Sequence, residues 1–231
     1  MTQLEQMQSV VLDPPAAAGA PAHPAGTALF PTVLRVAWLS IGLGLAMEVL
    51  ILVLAAFTGT AGDTPKPFLA DLAQKVSWSF IVCVGLAFGS TATKAREGIL
   101  GVLGLISAPA GFAAARAVHK GVNGALGIAG AAMAPGLVLL VGGLKAAQYA
   151  LFGIVLGWIG QRALGLKAHA AAGLAFGLTF GLAIVAVTVR ASANPVPLVG
   201  VVSRAINEVM FPLGCALVLY ASGALAKRLP S

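Results

Sequence analysis

The chain predicts an all-α fold, a polytopic integral membrane protein with about six transmembrane helices, and three observations carry that expectation. Its 231 residues are 59% hydrophobic and only 9% charged, a balance that one water-soluble core of this length cannot hide. Mean hydropathy is +0.97. The apolar residues also fall into runs close to the ~20 residues that cross hydrocarbon as a helix.

Residues 1–31 set Pro14, Pro15, Pro21, Pro24 and Pro31 among alanines and glycines. They read as an extended N-terminal tail, with the membrane domain over 32–231. The tail holds Glu5 and Asp13 but no Lys or Arg, and a proline break follows Val10, Val11 and Leu12. A signal peptide needs a basic start and an unbroken apolar core, so insertion is expected to use the first membrane helix.

Helices are expected at 33–57, 68–89, 98–116, 134–160, 169–189 and 198–224. Pro109 in the third and Pro212 in the sixth remove backbone hydrogen bonds, which predicts kinks. Gly85 and Gly89 in the second helix, Gly153 and Gly157 in the fourth, and Gly173, Gly177 and Gly181 in the fifth recur every four residues. Each set makes a smooth strip against which another backbone can pack closely. The stretch 121–133 is too apolar for an ordinary loop and too short to span, so it is expected to re-enter the membrane or lie at its surface. Gly42 to Glu48 aligns with Gly142 to Gln148, and Pro109 to Ala113 with Pro212 to Ala216. Three helices per half would make this a 3+3 inverted repeat.

With six spans both termini share a side. Arg35, Lys94, Arg96, Arg162, Lys167, Lys227 and Arg228 fall on that side, against Lys66, Arg116, Lys120 and Arg190 opposite. The bias places both termini in the cytoplasm, with the protein in the cell's inner membrane. Trp38, Trp158 and Tyr220 near the same side fit an interfacial belt. The formal net charge of +7 is spread over short loops rather than gathered in a stripe, so the expected basic contacts are lipid headgroups and not nucleic acid.

Five charged residues, Glu48, Lys75, Lys145, Arg204 and Glu208, fall inside the apolar runs. A charge near the bilayer centre costs about 3 kcal/mol on insertion scales, so such residues are paired or line a polar cavity. Counted from the helix ends on the non-terminal side they are nine, seven, eleven, six and ten residues in, which puts them at similar depth. Arg204 and Glu208 share a helix face, as do Asp71 and Lys75, and Glu48 can meet Lys75 or Lys145 across helices. Gln148 adds hydrogen-bonding capacity at that depth.

This layer predicts a transporter or channel for an ion or small polar solute, anionic included, with Glu48, Lys75, Lys145, Gln148, Arg204 and Glu208 as binding residues. Arg204 and Glu208 form its gate or second pair. The alternative is a scaffold subunit that pairs with other membrane subunits or with copies of itself. Cys83 and Cys215 belong to no CxxC or Cys/His cluster, and no histidine falls at bilayer depth, so neither a metal nor another cofactor is expected. Nor does any catalytic motif point to an enzyme.

Overall fold

In a computed structural model, the described residues are 26–60, 66–92, 95–129, 133–192 and 194–228. Their helices are α1 (Gly26–Phe57), α2 (Lys66–Ser90), α3 (Arg96–Ala125), α4 (Pro135–Gln161), α5 (Leu166–Arg190) and α6 (Leu198–Arg228). All six are long and apolar enough to cross a membrane. The chain is a six-helix, multi-pass membrane protein.

The helix ends follow from backbone chemistry. After α3, Gly127 takes a left-handed φ of 68° and the Ile128 N–H reaches back to the Asn123 carbonyl at 2.9 Å, the bond that closes a helix over a glycine. Gly121 to Ala125 therefore extend α3 beyond the expected end at residue 116, and Leu126 and Gly127 make the turn. This is a correction to the reading of 121–133 as a separate re-entrant or surface segment; residues 130–132 lie outside the described residues. At the other end of the chain, α1 already begins at Gly26 and contains Pro31, so it takes in the last six residues of the expected tail. Pro31 forfeits only the bond its own N–H would make. The rest of the expected tail, 1–25, lies outside the described residues.

The helices follow one another round the bundle: α1 lies on α2, α2 on α3, α3 on α4 and α5 on α6, and α6 returns to α1. The seam between α4 and α5 is the loosest of these. Thr32, Ser90, Arg96, His169 and Ser222 meet round one cavity, which brings the starts of α1, α3 and α5 and the ends of α2 and α6 to one end of the bundle. We call this the terminal end. Outward-facing residues such as Leu139, Leu140, Leu151 and Leu174 are exposed, as hydrocarbon-facing positions should be.

The glycine strips are where backbones meet. A methyl group on Gly173 would lie 2.5 Å from Leu213 Cα, and one on Gly181 2.7 Å from the Glu208 carbonyl oxygen. One on Gly177 would overlap the Val209 backbone, and one on Gly153 the Leu100 carbonyl. The strip on α5 coincides with a π-helical turn at Gly177–Gly181. Inside the bundle, Trp78, Tyr149 and Phe152 stack edge to face at 5.7 and 5.8 Å, and Phe176 continues the stack at 5.4 Å.

Candidate functional site

The site begins with a close approach of α1 to α2. Ser40, Gly44 and Glu48 share one face of α1, because residues four apart in a helix lie above one another. Gly44 has no side chain to hold α2 away: a Cβ there would be 2.7 Å from Val76 Cα and 3.0 Å from Ser79 Oγ. Ser79 Oγ donates to the Ser40 carbonyl at 2.7 Å. One turn further on, the same contact delivers Glu48 to Lys75, and the two form an ion pair.

The second pair joins α4 to α6. Lys145 Nζ lies 2.7 Å from Glu208 Oε2. Pro212 sits four residues after Glu208 and lacks the N–H that would bond the Glu208 carbonyl. Gly181, in the π-helical turn, packs against that same carbonyl.

Depth explains why the four charges share a layer. Measured from the end opposite the terminal one, Glu48 lies nine residues from Phe57, Lys75 nine from Lys66, Lys145 ten from Pro135 and Glu208 ten from Leu198. At ~1.5 Å of rise per residue, all four stand about 14 Å into their helices. Trp78 touches the second pair: it lies one turn beyond Lys75 on α2, and the centre of its ring is 4.6 Å from Lys145 Nζ. An ammonium over an indole face gains about 2 kcal/mol when desolvated.

The side chains of Glu48 and Lys145 are 4% and 8% exposed, while those of Lys75 and Glu208 retain 13% and 18%. Burying a lone charge is costly, and a close partner recovers much of that cost. The arrangement is thus two neutral pairs, each with one deeply buried member and one partly accessible member.

Four of the six sequence-predicted residues therefore form two ion pairs at one depth. Gln148 stands one turn from Lys145 toward the terminal end, 1% exposed, and donates through Nε2 to the Phe176 carbonyl at 3.2 Å across the loose α4–α5 seam. Its Oε1 is buried without a hydrogen-bond partner among the described residues. Arg204 stands apart: it is exposed and makes no ion pair among the described residues. Glu208 faces Lys145 instead, so the expected Arg204–Glu208 pair does not form. Nor does Asp71 hold Lys75; it binds His119 Nε2 at 3.1 Å, with Asn123 beside the histidine at 3.3 Å.

Sequence reasoning missed Trp78 and the Asp71–His119 contact. The first was legible in principle, because a tryptophan three residues after an intramembrane lysine shares its helix face. The second depended on α3 running past residue 116. Among the described residues, no three His, Cys, Asp or Glu side chains converge as a metal site. No protein family, no curated protein and no solved structure matches the chain.

Proposed function

We propose that the protein is a transporter or channel for an ion or small polar solute, anions included, and that its path crosses the layer formed by Glu48, Lys75, Lys145 and Glu208, with Gln148 as a neutral contact. The supporting observation is that two ion pairs, drawn from four helices, stand at one depth inside the bundle, with Trp78 against the second of them. Intramembrane ionisable residues that face the bundle interior mark solute and ion pathways. The Trp78, Tyr149, Phe152 and Phe176 stack lies between this layer and the terminal end, and serves as the barrier a solute must pass.

Movement is assigned to α5 and α6. The π-helical turn at Gly177–Gly181 and Pro212 leave backbone groups outside regular helix bonding where the two helices touch, and such interruptions in membrane helices accompany function. The 3+3 inverted repeat belongs to this reading, with one half rocking against the other. So do an inner-membrane location, both termini in the cytoplasm, contact with membrane lipids and assembly as a homo-oligomer. No catalysis is assigned to the chain.

The second reading is a scaffold subunit of a membrane complex. It is favoured by the pairwise neutralisation of the buried charges, which fixes helix order whether or not a solute binds. Reconstitution into proteoliposomes separates the two. Transport predicts uptake from a panel of labelled anions, cations and zwitterions, abolished by Glu48→Gln. A scaffold predicts no uptake of any solute and fixed partner subunits on purification.

A further inference from the structure

A second polar place lies at the terminal end of the bundle. A cavity of about 350 Å³ opens there, with Thr32, Ser90, Thr91, Arg96, His169 and Ser222 as its polar lining. That volume suits a small ligand. None of the described residues lining it is acidic, so the cavity is electropositive.

Two of its groups have unused hydrogen-bonding capacity. Arg96 Nε and Ser222 Oγ are each buried without a hydrogen-bond partner among the described residues, and Ser222 is only 2% exposed. A buried donor without a partner is unfavourable, and more so when charged, so a ligand that satisfies both is favoured there. The guanidinium is positioned by Gly160 of α4, where even a Cβ would lie 3.0 Å from Arg96 Cζ. Arg35, one turn along α1 from Thr32, has a buried Nη1 that also lacks a partner among the described residues and adds positive charge nearby. The Ser90 and Thr91 hydroxyls donate to the Ala87 and Phe88 carbonyls at 2.7 and 2.8 Å, which leaves their oxygens free to accept from a ligand hydroxyl.

We propose that this cavity binds a phosphate ester, with Arg96 as counter-ion and Ser222 as hydrogen-bond donor to the phosphate oxygens. A guanidinium fork matches two oxygens of a phosphate, and the terminal end of a membrane-spanning bundle is where lipid phosphates lie. The same chemistry is offered by a lipid headgroup and by a water-soluble phosphate ester. The site shares no residue with the charged layer, so it stands or falls separately from the transport reading.

The test titrates the purified full chain, in neutral detergent, with dihexanoylphosphatidic acid, glycerol 3-phosphate and glycerol, read by tryptophan fluorescence and by the unfolding midpoint. Saturable binding of at least one phosphate probe and none of glycerol is expected. Arg96→Gln and Ser222→Ala should each weaken binding by about tenfold, the effect of losing one bond to a charged group. Arg190→Gln, which removes the same charge at the opposite end, should not. Binding of the phosphatidic acid alone assigns the site to a lipid headgroup, and binding of both probes assigns it to a soluble phosphate ester. If Arg96→Gln does not fold, Ser222→Leu, which fills the cavity from α6, must abolish binding. Absence of saturable binding to both probes, or binding undiminished in the folded variants, overturns the proposal.

Discussion

Lys145 of α4 and Glu208 of α6 form an ion pair at 2.7 Å, and the same ammonium rests on the Trp78 ring of α2. One cation thus ties three helices together at a depth where water is scarce. The Glu48–Lys75 pair ties α1 to α2 at the same level, so the charged layer orders the bundle and leaves Lys75 and Glu208 partly accessible.

Gly177 and Gly143 provide a matched contrast in packing. A Cβ at Gly177 would overlap the Val209 backbone, whereas one at Gly143 meets nothing within 4 Å. Gly177→Ala should lower thermal stability by about 1–3 kcal/mol, the usual cost of overpacking. Gly143→Ala should be neutral or stabilising by up to about 1 kcal/mol through helix propensity. Unfolding in detergent, followed by far-UV circular dichroism, checks both.

Arg204 was grouped with the charged layer by its sequence position, yet it is exposed and unpaired among the described residues. Arg204→Gln should change stability by less than about 0.5 kcal/mol, as surface substitutions do. It should also leave uptake near wild type. A loss of flux comparable to that of Glu48→Gln would return Arg204 to the site.

Cys83 and Cys215 meet between α2 and α6 with their sulfurs 3.1 Å apart, both fully buried. A membrane-permeant diazenedicarboxamide should take up two hydrogens from the thiols and join them within one chain. Maleimide titration of the denatured protein would then count no free thiols, against two before treatment. Retention of both thiols after prolonged exposure would contradict the packing of α2 on α6.

The layout of the charged layer was partly legible in the sequence, and the reason it stopped there is geometric. Residue numbering gives depth along a helix, so the common level of Glu48, Lys75, Lys145 and Glu208 could be read before any fold was known. Partner choice depends on which helices are neighbours and how each is rotated. Arg204 has the i,i+4 spacing to reach Glu208, but α4 approaches that face of α6 and Lys145 takes the carboxylate. The glycine strips were legible for a related reason, since a four-residue repeat defines a helix face without reference to its partner. The end of α3 was not: Ala117 to Ala125 are as compatible with helix as with a surface segment, and only the turn at Gly127 decides it.

The Lys145–Glu208 pair separates a charged layer that is a path from one that is only a clasp. Lys145→Met alone strands Glu208, which should cost about 3–5 kcal/mol, whereas replacing both partners by apolar residues of similar size is tolerated. The decisive measurement is solute uptake by proteoliposomes carrying the double variant Lys145→Met, Glu208→Leu, with its unfolding midpoint recorded in parallel. The proposed path predicts a folded, thermally stable double variant with no uptake of the solute carried by the wild type. A stable double variant with wild-type uptake would contradict it and leave the pair as a structural tie.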